Sequence, residues 1–189
     1  MVADCLDGDH EFGIVFHDGA GPDADIVQGK TGTIAHIDRV AGLPDGRSHV
    51  VVHGVSRFEV MEVRQTPAPY LMADVQLLED RAEPPDALSA AADDVRALVR
   101  RAASAVRAIS DDASPVPDLP FDAALLSFAI AQSIDLDLSV RQSLLESRSP
   151  LERLRQLKHL LTAVIAAIEA RASTRERAHS NGHGPMAHG

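Results

Sequence analysis

The chain has 189 residues, enough for one domain or for a small domain with a helical extension, and too few for two large ones. Its 45% apolar and 24% charged content is ordinary for a globular protein, and no apolar run approaches the roughly 20 residues of a membrane helix. The formal charge of −10 is concentrated in residues 1–82, where 14 acids oppose 6 bases, which argues against nucleic acid phosphates and anionic lipid as partners.

In chain order, Met1-Val2-Ala3-Asp4-Cys5 has no basic flank and no long apolar stretch, so no secretory signal is read and the expected location is the cytoplasm. Cys5 is the single cysteine, which excludes an internal disulfide and any multi-thiolate zinc site; it reads as a small packed residue at a helix end. Glu11 to Phe16 forms a short β-type run, ended by turn formers from His17 to Asp23, and Thr31 to Ile37 forms a second. Leu43-Pro44-Asp45-Gly46 predicts a hairpin, because Pro presets φ and Gly supplies the positive φ that returns the chain. The returning arm is His49 to His53, Gly54 marks a bulge or bend, and Arg57 to Val63 follows. In the next strand Leu71, Ala73, Val75 and Leu77 alternate with Tyr70, Met72, Asp74, Gln76 and Leu78, and the first set is expected to face the core. Five or more short strands predict a small twisted sheet or partly closed barrel.

Composition changes at Arg81-Ala82-Glu83-Pro84-Pro85, which divides a β-rich part, 1–82, from a helical part, 83–172. Leu88, Ala92, Val95, Val99, Ala102, Val106 and Ile109 line one face of a helix of about twenty residues. A Pro- and Asp-rich loop from Ser110 to Pro120 stops it, a second helix runs from Phe121 to Ser133, and a short third begins after Ser139. Ser149-Pro150-Leu151-Glu152 is a capping box with Pro at the first helical position. Leu151, Leu154, Leu157, Leu161, Val164, Ile165 and Ile168 supply the apolar stripe of this fourth helix. Residues 173–189, rich in Gly, His and Ser at the end, have nothing to bury and are expected to be disordered.

No motif for catalysis emerges. Gly29-Lys30-Thr31 matches the end of a phosphate-binding loop, but Ala24 stands where the earlier glycine is needed, Asp23 and Asp25 would repel phosphate, and strand follows where a helix is required. His49 and His53 share a strand face roughly 13 Å apart, too far for one metal ion, and His36 reads as a surface or core-edge residue. His179, His183 and His188 in the tail offer adventitious metal binding at most. There is no Gly-x-Ser-x-Gly elbow, and no carboxylate pair stands out as acid and base, so no catalytic, cofactor or metal residue is assigned.

Gly32-Thr33-Ile34-Ala35-His36-Ile37, Leu43-Pro44-Asp45-Gly46-Arg47, Val52-His53-Gly54-Val55-Ser56-Arg57-Phe58, Pro69-Tyr70-Leu71-Met72-Ala73-Asp74-Val75 and Glu79-Asp80 follow one another in order. In that order and spacing, with Phe12-Gly13-Ile14-Val15 before them and Ser149-Pro150-Leu151-Glu152-Arg153-Leu154 after, the sequence resembles the amino-terminal domain of Lon proteases. The resemblance implies an α+β fold, a PUA-like small β-barrel followed by a helical bundle, in a module that binds unfolded or tagged polypeptide. Nothing corresponds to the ATPase or the Ser-Lys peptidase of that family. Its members begin with two further strands before the first helix, so about thirty to forty residues are expected to be missing, by truncation or a misassigned start, leaving an unpaired edge or an open apolar groove.

The expected function is therefore non-catalytic binding of unfolded or flexible polypeptide, in partnership with a protease or chaperone. The outward strand face holding Met61, Tyr70, Met72 and Leu78 is the expected contact surface, since methionine and tyrosine suit adaptable apolar contact. RNA or modified-base binding, known for PUA-like barrels, and an uncharacterised hydrolase are the alternatives; the acidic first half and the lack of Trp argue against the former.

Overall fold

The computed structural model describes residues 1–17, 28–110 and 118–181, without the side chains of 108–110 and 171–181. In chain order the elements are α1 (Val2–Leu6), β1 (Glu11–Val15), β2 (Thr31–Gly42), β3 (Ser48–Arg64), β4 (Met72–Leu77), α2 (Pro85–Ser110), α3 (Ala123–Ser133), α4 (Leu138–Glu146) and α5 (Pro150–Asn181). They fall into two compact units, one of Met1–Glu79 with Leu138–Arg148, the other of Asp80–Asp137 with the chain from Ser149 onward. The turn formers of residues 18–23 and most of the loop after Ser110 lie outside the described residues.

The first unit is an antiparallel meander with strand order β1-β2-β3-β4, so among the described residues the sheet is open, with four strands rather than five or more. The β2–β3 hairpin closes as its sequence requires: Gly46 takes φ +86°, and Leu43 N donates to Arg47 O at 2.7 Å. Instead of two arms around Gly54, β3 is one strand of 17 residues. Its register against β2 jumps from Ile34↔Ser56 to Ala35↔Gly54, which leaves Val55 as a bulge; a second jump against β4, around Val60 and Glu62, leaves Met61 as another. Bulges absorb the extra residues while the alternation of faces continues on either side.

Phe58 and Val60 are buried on one face of the sheet. Phe58 lies against two glycines: a Cβ on Gly32 would stand 2.5 Å from its ring and 2.6 Å from Ile14 O, and one on Gly13 would stand 3.0 Å from the ring. The opposite face buries Thr31, Ala35 and Ile37 and carries α4. Gln142 Nε2 donates to Thr31 O at 3.1 Å, and Arg57 Nη1 donates to Leu145 O at 2.7 Å and Ser147 O at 2.8 Å. The last carbonyls of a helix have no partner within it, and a cation there also complements the helix dipole. The buried Arg57 guanidinium thus joins α4 to the sheet unit, a long-range relation that composition places in the helical part.

One expectation fails on β4. Leu71, Val75 and Leu77, expected to face the core, are 51%, 43% and 57% exposed. Alternation identifies two faces of a strand but not which face is covered, and β4 ends the sheet among the described residues, with a neighbour on one side alone.

In the second unit Ala92 and Val95 of α2, Leu126 and Ile130 of α3, and Leu151, Leu154, Leu157, Leu161 and Ile165 of α5 form the core. Lys158 Nζ meets Asp94 at 2.7 Å, and Arg101 holds Glu169 through Nε at 2.6 Å and Nη2 at 2.7 Å, so α2 and α5 are also tied along their exposed flanks. Val164 and Val106, assigned to the apolar stripes, are exposed, because each stripe is narrower than the run of apolar residues. Ser149 caps α5 as expected, with Glu152 N donating to Ser149 Oγ at 3.1 Å and Ser149 Oγ donating in turn to the Glu83 carboxylate. α5 continues to Asn181, past Ser173 where the disordered tail was expected to begin; residues 182–189 lie outside the described residues.

Candidate functional site

The four residues expected at the contact surface do not share one environment. Met61, at the β3 bulge, is 38% exposed and Met72, paired with Arg64, is 44% exposed. Leu78, just past β4, is half-buried, and its N–H donates to Arg57 O at 2.9 Å. Tyr70 is half-buried before β4 and hydrogen-bonds the Asp4 carboxylate of α1, which holds the phenol above its ordinary pKa. Asp4 itself is held low, first by its hydrogen bond to the terminal amine and then by that to Tyr70. Met61 and Met72 therefore offer accessible apolar surface, and Tyr70 links the β4 approach to α1.

A larger apolar surface lies on the set that alternation assigned to the core. Cross-strand partners share a face, so Phe58 and Leu77, Val60 and Val75, and Val63 and Ala73 stand on one side. Glu59 with Gln76, and Glu62 with Asp74, stand on the other. The β3–β4 end of the sheet is thus apolar on one face and acidic on the other. Arg64, beside it, is closed on Asp74 through Nε and Nη2 at 2.7 Å each, which raises the guanidinium pKa further.

Histidines meet across strands rather than along them. His36 pairs with His53 at a ring separation of 5.3 Å and stacks on His10 at 6.0 Å, while His53 Nδ1 lies 2.8 Å from Asp38 Oδ1. The spacing argument, confined to His49 and His53, missed this cluster because the partner of a β residue is set by register. Among the described residues no three His, Cys, Asp or Glu converge so as to hold a metal ion. The side chains of His179, His183 and His188 are outside the described residues. Gly29 takes φ +87° and Thr31 opens β2, so Gly29-Lys30-Thr31 leads into a strand where a phosphate-binding loop leads into a helix.

No helix among the described residues is long and apolar enough to cross a membrane. The family described as the ATP-dependent protease La (LON) substrate-binding domain matches residues 1–163. Lon protease 2 of Herpetosiphon aurantiacus is 36% identical over 140 residues, covering 74% of this chain and 17% of that protein. Lon protease of Cytophaga hutchinsonii is 25% identical over 197 residues, covering 96% of this chain and 23% of that protein. The chain spans less than a quarter of either relative. In fold it is similar to a Lon N-terminal domain protein from Xanthomonas campestris, with a TM-score of 0.54 at 22% identity over 82% of this chain and 79% of the other. The N-terminal domain of a Mycobacterium avium complex Lon protease gives a TM-score of 0.55 at 20% identity, over 80% of this chain and 89% of its own.

Proposed function

The chain belongs to the LON substrate-binding domain family, and from that premise we propose that it is a non-catalytic module that binds unfolded or flexible polypeptide. The observation that carries the reading is the family match, which extends through the sheet unit and into α5. Neither ATP hydrolysis nor peptide cleavage is assigned to it, and a protease or chaperone is the partner class that would receive what it binds. Its place of action is the cytoplasm.

The surface proposed for this contact includes Met61 and Met72, with Tyr70 and Leu78 at its half-buried margin. Methionine's flexible thioether chain adapts to irregular apolar partners, as a binder of varied unfolded segments requires. The test is binding of a chemically unfolded model protein. Met72→Asp is expected to weaken that binding with the far-ultraviolet circular dichroism unchanged, and absence of binding by both forms overturns the reading.

A further inference from the structure

Glu11, His36 and His53 stand in register across β1, β2 and β3, so their side chains share one face of the sheet. β2 and β3 each have a strand on both sides, so the pair of His36 and His53 is set inside the sheet, and a further strand beyond β1 or β4 would leave its register unchanged. Both side chains are accessible, His36 at 36% and His53 at 58%. Their ring centroids lie 5.3 Å apart with the planes inclined at 47°. Two imidazoles bound through nitrogen at about 2.0–2.1 Å to one tetrahedral ion have centroids about 5.2 Å apart, so the pair already has the separation of two ligands of one ion.

Asp38 fixes the chemistry of His53. An ionised carboxylate has no hydrogen to donate, so Nδ1, 2.8 Å from Asp38 Oδ1, carries the hydrogen and Nε2 of the neutral ring keeps its lone pair for a ligand. A carboxylate on the second ring nitrogen is the arrangement that orients metal-bound histidines. Glu11 Oε1 lies 4.0 Å from His36 Nδ1 and puts a second negative charge beside the pair. His10 is placed differently. It stacks on His36 at 6.0 Å with the planes 16° apart, and lone pairs lying in nearly parallel planes do not meet at one ion. The described residues thus supply two nitrogen ligands rather than a convergent set of three, and water completes the shell.

We propose that His36 and His53 form a binding site for one borderline divalent transition cation, of which Zn²⁺ is the representative, with Asp38 as the positioning residue that holds the His53 ring. Imidazole nitrogen selects such ions, whereas Mg²⁺ and Ca²⁺ take oxygen ligands. The bound ion joins β2 to β3 through side chains as well as backbone. Two protein ligands hold it less tightly than the four of a structural zinc site, so its occupancy follows the concentration of free ion. The site goes beyond the polypeptide-binding reading and does not depend on it.

The test is calorimetric titration of the full 189-residue chain with Zn²⁺, on a background of His179→Ala, His183→Ala and His188→Ala that removes the other clustered histidines. One ion per chain is expected to bind. His36→Ala and His53→Ala are each expected to weaken it about tenfold or more, and Asp38→Asn about tenfold, the loss typical of a partner that orients a ligand. His49→Ala, on the same strand as His53 and outside the cluster, is expected to change the affinity less than about twofold, and an excess of Mg²⁺ or Ca²⁺ is expected not to displace the ion. If a variant does not fold, the parent chain gives the answer by nuclear magnetic resonance: Cu²⁺ added at a few per cent of the protein, roughly, is expected to broaden the His36 and His53 ring signals before those of the other histidines. Loss of all binding in the tail-substituted background, equal affinity in His36→Ala and His53→Ala, or first broadening at other histidines overturns the site. Displacement by Mg²⁺ or Ca²⁺ also overturns it, because the ion would then sit on the Glu11 and Asp38 carboxylates rather than on the imidazoles.

Discussion

Arg153 is fully buried and grips Asp80 with both arms of its guanidinium, Nη1 to Oδ1 and Nη2 to Oδ2 at 2.7 Å each. Its Nε donates to Ser127 Oγ at 2.8 Å, and its Cζ stands 4.2 Å from the Phe128 ring centroid. One cation in α5 thus fastens the first residue of the second unit and α3 to the same point. A buried guanidinium that loses its carboxylate keeps its charge and its desolvation cost.

Asp80→Ala is accordingly expected to cost about 3 kcal/mol of stability, read from the midpoint of urea unfolding at unchanged slope. Combining it with Arg153→Met removes the stranded charge and should recover most of that loss. If the double variant is as unstable as the sum of the two single ones, the ion pair is not the source of the effect.

Arg57 makes the corresponding connection in the first unit. Arg57→Met is expected to cost about 2–3 kcal/mol, the range for hydrogen bonds made by a charged donor to backbone carbonyls. Amide exchange should show the loss locally. Residues 138–148 are expected to lose protection while the β2–β3 hairpin retains it, and equal loss in both would mean that Arg57 supports the sheet rather than α4.

These two arginines mark the boundary of what the sequence discloses. The hairpin at Leu43-Pro44-Asp45-Gly46, the helix cap at Ser149 and the spacing of Leu154, Leu157 and Leu161 are local, and local physics makes them readable. The partners of Arg57 lie 88 and 90 residues away, and that of Arg153 lies 73 away, distances over which periodicity carries no information. The same limit hid the His10, His36 and His53 cluster, since it depends on register across strands. For the contact surface, the alternation of β4 was legible, but its covered face was not. Met72 is exposed as the pattern implied, whereas Val75 and Leu77 are exposed against it.

Gly32 provides a test of packing on the Phe58 face. An added Cβ would meet both a ring and the Ile14 carbonyl, and the carbonyl cannot turn aside without breaking the strand pair. Gly32→Ala is expected to destabilise by about 1–3 kcal/mol, as overpacking does. Gly42 lies at the other end of β2 with nothing within 4 Å of the added carbon, and Gly42→Ala is expected to stay within about 0.5 kcal/mol of the parent. Thermal unfolding of the two variants side by side checks the difference, and equal midpoints would show that the sheet relaxes around the methyl group.

Tyr70 reports on the attachment of α1. It is the single tyrosine in a chain without tryptophan, so the ultraviolet absorbance of tyrosinate gives its titration without interference. The hydrogen bond to Asp4 is the first cause that raises its pKa, burial follows, and the Asp4 charge adds to both. The native midpoint is therefore expected above the ordinary value of about 10, and Asp4→Ala should return it toward that value. The sign for stability follows from the neutral phenol being the form favoured in the fold. The contribution is fully present below the unfolded pKa and is lost as pH rises through the native one. Guanidinium midpoints measured on the alkaline side should fall with rising pH in the parent and less steeply in Asp4→Ala. A native titration midpoint unchanged by Asp4→Ala would mean that the phenol is not bonded to α1 in solution.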